Sequence, residues 1–248
     1  MIFDLDGTLA ESKGPIDAMM ATILGEATQK MNIVVITGGM FEQIERQVIA
    51  KLPVSTNLQN FFILPTTGSA MYQYVGQQWL CVYELRLSQT EIGKIEKAFE
   101  QVLHDVSFHI EPDMLKGPQL ENRGTQFTFS ALGQLQDINH KRAWDPDRSK
   151  REELQLLLQP QLPEFDVKIG GTTSIDVTRS GVTKAYGIRK FFEISGFDIV
   201  EAVFVGDEIR EKGNDYAALE TGIDTYGTKG PDDTRDYIQR VLAMYETE

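Results

Sequence analysis

The chain has 248 residues, 41% hydrophobic and 25% charged, with a formal net charge of −13. This suffices for one large or two modest domains with real cores, and so acidic a surface disfavours nucleic acid and anionic membrane as partners. The single cysteine, Cys81, excludes an internal disulfide and fits a reducing, cytoplasmic setting, and no apolar run approaches the ~18 residues of a membrane span.

Taken in chain order, MIF before Asp4 reads as a short buried strand. A buried central strand usually runs about 5–6 residues, so either the start is truncated or the strand is unusually short. Pro15 opens a helix that puts Ile16, Met19, Met20, Ile23 and Leu24 on one face. IVVI before Thr37 and FFIL before Pro65 are further continuous apolar runs, with a helix through Phe41, Ile44, Val48 and Leu52 between them. Cys81, after Trp79 and Leu80, reads as a small buried residue.

The pattern then changes. Ser88 and Glu91 form a capping box opening a helix with Ile92, Ile95, Phe99, Val102 and Leu103 inward. Ser149 and Glu152 repeat that signature before Leu154, Leu157 and Leu158. QFTFSAL, FDVKIGG and TSIDVT alternate apolar with polar residues, as half-buried antiparallel strands do. A helix from Thr183 to about Ser195 and the run AVFV before Gly206 restore the strand–helix order. The expected fold is therefore α/β: a parallel-sheet core made of residues 1–82 and 181–248, interrupted by an α+β insert at 83–180.

In open parallel sheets, ligands bind beyond the carboxyl ends of the strands. Asp4 and Asp6, Thr37, and Asp207 each follow such an end, so adjacent strands would bring them together. Carboxylates this close repel unless a cation offsets them, and hard oxygen donors suit Mg²⁺. The Asp4 and Asp207 carboxylates with the Asp6 backbone carbonyl are the expected ligand set. A phosphate substrate complements such a centre. The Thr37 hydroxyl and the bare backbone of Gly38 and Gly39 offer an anion cradle, and Lys184, at a helix start, offers a point charge.

DLDGT at 4–8, Thr37 after IVVI, Lys184, and GDEIREKGND at 206–215 resemble, in order, the four signature motifs of the haloacid dehalogenase superfamily. The resemblance implies a Rossmann-like core with a C2-type cap, as in subfamily IIB. It implies that Asp4 is a nucleophile forming an aspartyl-phosphate and that Asp6 is the general acid/base. Thr37 and Lys184 would bind the transferring phosphoryl group and Asp207 the metal, while Asn214 and Asp215 would order that loop or the ion's outer shell.

ENRGTQFTFSALGQ, Arg142, IGGTTSIDVT and GPDDTR further resemble the α-phosphomannomutase branch and its bacterial relatives. That likeness implies that Arg123 and Arg142 hold the distal phosphate of a phosphorylated sugar, that Ser174 and Asp176 line the sugar pocket, and that a homodimer through the cap is open to it. Gln134 stands where the branch carries a further arginine; losing a bidentate phosphate donor costs about 2–3 kcal/mol of distal binding. The expectation is a sugar-phosphate phosphatase first, a hexose-phosphate mutase second, and a catalytically silent binding protein as a remote third.

Overall fold

The computed structural model describes residues 1–11, 14–211 and 213–245. They form two compact units, Met1–Glu84 with Val182–Glu248, and Leu85–Gly181.

In the first unit, β1 (Ile2–Phe3), β2 (Ile33–Ile36), β3 (Phe61–Leu64), β4 (Ala70–Val75), β5 (Gln78–Glu84), β10 (Val203–Gly206) and β11 (Asp224–Gly227) make one sheet in the order β11-β10-β1-β2-β3-β4-β5. The pairings from β11 to β3 are parallel, and β4 and β5 add an antiparallel hairpin. Both faces of the parallel part are covered, which is why its strands read as unbroken apolar runs. Phe3, Val35, Ile63 and Val205 pack with Met20 and Leu24 of α1 (Ala18–Ala27), Ile44 of α2 (Phe41–Gln47) and Ile238 of α7 (Pro231–Tyr245). Ile2, Val34, Ile36, Phe62 and Phe204 pack on the other side with Ile188 and Phe191 of α6 (Lys184–Ser195).

Although β1 has only two residues, the Asp4 amide extends its ladder by donating to the Val205 carbonyl at 3.0 Å. The first unit runs to Glu84 because β5 does.

In the second unit, β6 (Leu120–Asn122), β7 (Gln126–Ser130), β8 (Phe165–Ile169) and β9 (Ser174–Arg179) form an antiparallel sheet in the order β6-β7-β9-β8. Phe127, Phe129, Ile175, Val177, Phe165 and Val167 cover one face and pack with Ile95, Phe99 and Val102 of α3 (Gln89–Asp105) and Leu154 and Leu158 of α5 (Ser149–Leu158). The alternation puts Glu121, Thr128, Asp176 and Lys168 in one cross-strand row on the other face. The Ser88–Glu91 capping box is present at the start of α3.

Several local expectations are corrected. α1 starts at Ala18 rather than at Pro15, because the Asp17 carboxylate caps it by accepting from the Met20 amide at 2.7 Å. Met19 then falls on the solvent side, 61% exposed. α2 stops at Gln47 and tightens into a 3₁₀ turn at Ile49–Lys51. Ser149 does not cap α5: its hydroxyl donates to Asp147 at 2.8 Å, and Arg148, left-handed at φ 68°, stands before the helix. Cys81 is exposed, on β5, the edge strand of its sheet rather than one of its central strands. The β4–β5 hairpin itself follows from Gly76 (φ 57°) and Gln77 (φ 66°), the two left-handed positions of a tight hairpin turn. Among the described residues, no helix is long and apolar enough to cross a membrane.

Candidate active site

The carboxyl ends of β1, β2 and β10 lie side by side, and the chain turns sharply after each. After β1, the Leu5 carbonyl accepts from the amides of Thr8, Leu9 and Ala10, and the Gly7 amide donates to the Ala10 carbonyl at 2.8 Å. Gly7 is required twice. Its φ is +82°, and a Cβ there would lie 2.5 Å from an Asp207 carboxylate oxygen. The Thr8 hydroxyl is 3.5 Å from Asp207 Oδ1.

This tight loop brings Asp4 and Asp207 together. One carboxylate oxygen from each of Asp4, Asp207 and Asp215 lies within 4.8 Å of the other two. Lys184, the first residue of α6 and capped by Thr183, enters between them. Its ammonium donates to Asp4 Oδ1 at 2.5 Å and also to Asp215 Oδ1. Lys184, Asp4 and Asp215 are all buried. Three carboxylates thus face one ammonium, an excess of negative charge held by hard oxygen donors. That donor set fits a divalent cation such as Mg²⁺, and the missing side chain of Gly7 leaves the Asp207 carboxylate room beside Asp4.

Electrostatics follow from burial. Desolvation pushes the Asp4 carboxyl up to about 7, with Asp215 adding and Lys184 opposing. Burial, then Asp215, raises Asp207. Burial is the largest influence on Lys184 and disfavours its charge, yet Asp4 and Asp215 together hold the ammonium above its ordinary value.

Thr37, just past β2, is buried, and its hydroxyl accepts from the Gly39 amide at 3.3 Å, while Gly38 is exposed. Asp6 sits at the loop, half-buried, bridged to Ala10, and its side chain is not a member of the acidic triad. The expectation for Asp215 is to order its loop or the ion's outer shell; the fold makes it a member of the triad while its other oxygen accepts from the Glu208 amide at 3.0 Å. Asn214 is exposed. What local sequence could not reveal about Asp215 is that the chain from 207 loops back over Gly206, where a Cβ would meet Asp215 Oδ2 at 2.5 Å.

The second unit holds the remaining expected residues. Asp176 and Ser174 lie on one face of β9. Asp176 accepts from the Thr128 hydroxyl at 2.7 Å, and burial raises its carboxyl against the opposing influence of Thr128 and Arg123. Arg123 pairs with Glu121 through Nε and Nη2, both at 2.7 Å. Arg142 is exposed on α4 (Ile138–Trp144), a helix and not one of the strands that carry that polar row. Gln134 keeps its backbone carbonyl on the Lys141 ammonium at 2.9 Å, and its side-chain Nε2 is buried without a hydrogen-bond partner.

Arg151 was not anticipated. It is buried, pairs with buried Asp145 at 2.7 Å, and donates to the Gly171 carbonyl, bracing the turn that leads to Ser174. Its sequence signal was hidden in the mixed charge of 142–151.

Comparison with known proteins places the chain among relatives. The eukaryotic phosphomannomutase family matches residues 20–244. The chain is 23% identical to the probable phosphomannomutase of Caenorhabditis elegans over 250 residues, covering 98% of this chain and 94% of that one. It is 24% identical over 220 residues to the putative phosphatase YkrA of Bacillus subtilis, covering 85% and 80%. Among solved structures it resembles an IMP-bound, N-terminally truncated IMP-nucleotidase of Plasmodium falciparum, with TM-score 0.65 and 15% identity over 98% of this chain and 67% of that one. It also resembles a trehalose-6-phosphate phosphatase related protein, with TM-score 0.56 and 15% identity over 100% and 99%. With most of its length matched, the chain belongs to the phosphomannomutase family, within the haloacid dehalogenase superfamily.

Proposed function

We propose that the protein transfers the phosphoryl group of a small phosphorylated sugar through an aspartyl-phosphate on Asp4, and that its usual outcome is hydrolysis. The observation that carries this reading is the buried Asp4–Lys184–Asp215 contact with Asp207 alongside, at the carboxyl end of the parallel sheet. Asp4, Asp207 and Asp215, with the Asp6 backbone carbonyl, are the groups available to hold Mg²⁺. When bound, the ion neutralises phosphate charge and favours the ionised form of Asp4.

An Asp4 carboxylate oxygen attacks phosphorus, the bond from phosphorus to the sugar oxygen breaks, and Asp6 gives its proton to that oxygen. Lys184, Thr37 and the Gly38 amide hold the phosphoryl oxygens. Asp6, now a carboxylate, takes a proton from water as the water oxygen attacks phosphorus. The acyl phosphate bond breaks, orthophosphate leaves, and Asp4 is restored. Arg123, Arg142, Ser174 and Asp176 are proposed to recognise the sugar and any second phosphate. Arg123 carries most of that weight, since it pairs with Glu121 of the polar row while Arg142 is exposed on a helix. The single cysteine fits work in the reducing cytoplasm.

The family match favours a second outcome, in which a sugar hydroxyl replaces water and the enzyme interconverts 1- and 6-phosphates. Gln134, a neutral amide, favours hydrolysis by weakening retention of the distal phosphate. ³¹P NMR on mannose and glucose 1- and 6-phosphates with Mg²⁺, with and without a sugar bisphosphate, decides between them. Hydrolysis gives a growing orthophosphate signal. Isomerisation without orthophosphate, dependent on the bisphosphate, reverses the order. An Asp4→Asn variant as active as the parent on every substrate defeats both.

A further inference from the structure

The segment joining β3 to β4 holds two threonines in a conformation that β-branched residues avoid. Thr66 has φ 47° and Thr67 φ 63°, followed by Gly68 at 81°. Left-handed backbone at non-glycine residues is uncommon, and at β-branched ones it marks a conformation imposed by its surroundings. Those surroundings are specific. The Thr66 amide donates to the Gly39 carbonyl and the Thr67 amide to the Thr37 carbonyl, each at 2.8 Å, so the corner grips the 37–39 loop at two points.

Its other side meets α6. A Cβ on Gly68 would lie 2.5 Å from Gly187 Cα, and one on Gly187 would lie 2.8 Å from Gly68 Cα and 2.9 Å from Ile36 Cδ1. Two backbones therefore touch without side chains between them, one turn along α6 from Lys184. The corner is held in turn by the Tyr83 hydroxyl, which donates to the Gly68 carbonyl at 2.6 Å, and by the Ser69 hydroxyl, which donates to the Thr66 carbonyl at 2.8 Å.

We propose that the left-handed corner Thr66–Gly68, seated on Gly187, is a positioning element that sets the spacing between the 37–39 loop and the Lys184 end of α6. This rests on the reading that both of those elements hold the transferring phosphoryl group. Thr67, Gly68 and Gly187 act through Thr37 and Lys184 and touch no substrate. The corner explains why the chain keeps glycine inside α6, where alanine is ordinarily the better helix former. It also explains a left-handed turn whose first two amides, those of Thr66 and Thr67, both donate to the 37–39 loop.

The test uses hydrolysis of p-nitrophenyl phosphate with Mg²⁺, beside amide hydrogen exchange of the peptides covering 37–39 and 66–68. Gly187→Ala is expected to lower kcat by about tenfold or more with KM within about threefold, since a displacement of an ångström in a positioning element has effects of that order. Exchange at 66–68 rises with it, because those amides lose their fixed acceptors. Gly93→Ala, in α3 of the second unit where the added methyl meets open space, is the control and matches the parent in both. Thr67→Pro, which forbids both the positive φ and the N–H donor, reproduces the loss. Thr67→Asn, which tolerates the left-handed backbone and keeps the donor, restores kcat to within about threefold of the parent.

A folded Gly187→Ala protein with parental kcat and parental exchange overturns the proposal. So does Thr67→Asn proving as inactive as Thr67→Pro, since the side chain rather than the turn would then matter. Should Gly187→Ala fail to fold, the Thr67 pair decides. Should the parent itself hydrolyse nothing, the functional reading fails, and the exchange comparison alone decides whether the corner couples the two elements.

Discussion

Lys184 in the first unit and Arg151 in the second are both buried cations paired with buried aspartates, yet their surroundings differ in charge balance. Lys184 faces Asp4 and Asp215 directly, with Asp207 in the same group, so negative charge is in excess. Among the described residues Arg151 pairs with one carboxylate, Asp145, and donates further to the carbonyls of Asp145, Gly170 and Gly171. The second arrangement is neutral and satisfied within the protein, as a structural brace must be. The first is left wanting positive charge at the carboxyl end of parallel strands, as the proposed cation and phosphate centre requires. A buried ion pair does not by itself mark a functional site; excess charge at the end of parallel strands is what makes Lys184 rather than Arg151 the candidate.

The comparison breaks most readily at Lys184. Lys184→Met is expected to reduce phosphoryl transfer by about a thousandfold or more, and to destabilise the fold by about 3–5 kcal/mol in chelator by leaving buried carboxylates without their partner. Added Mg²⁺ should recover part of the melting temperature and none of the turnover. Recovery of both would make Lys184 a brace like Arg151.

Arg151→Met supplies the converse. It should cost about 3–5 kcal/mol in denaturant unfolding, because Asp145 loses its partner, while turnover of p-nitrophenyl phosphate by the folded protein stays within a few-fold of the parent. A large fall in that turnover would show that the two sites are not separable.

Arg123→Gln sharpens the division of labour within the second unit. Removing this charge-assisted donor should raise KM for a sugar phosphate by roughly ten- to a hundredfold, with the aryl phosphate scarcely affected. Equal losses on both substrates would remove Arg123 from sugar recognition.

The smallest effect belongs to the Glu91–Arg179 pair, which ties α3 to β9 at 2.8 Å. Hydrogen bonding from Arg179, then from the Ser88 backbone, holds the Glu91 carboxyl down at about 2. Its folded value lies below its ordinary one, so its contribution is complete above about pH 4.5 and is lost as pH falls toward 2. Because the pair is partly exposed, that contribution is about 1 kcal/mol. Melting of Glu91→Gln against the parent should therefore differ at pH 6 and converge near pH 2. A constant difference would mean that packing, not charge, holds this contact.

Much of the first unit was legible in sequence for a simple reason: strands covered on both faces read as unbroken apolar runs, so MIF, IVVI, FFIL and AVFV announced themselves and so did the residues after them. The hairpin at the sheet's edge was not legible, because one-sided cover gives a weaker pattern, and Cys81 was misplaced with it.

The sequence by itself determined the strand ends that carry Asp4, Thr37 and Asp207, the Ser88–Glu91 cap and the alternating faces of β7 and β9, since each depends on residues a few positions apart and on hydrophobic period. Only the tertiary structure decided that Asp215 joins Asp4 and Asp207, that Arg151 rather than Arg142 is buried, and that Gly68 and Gly187 touch. Those outcomes depend on how closely backbones distant in the chain can approach. Close approach is set by the absence of side chains and by packing, which leave no periodic trace in the chain.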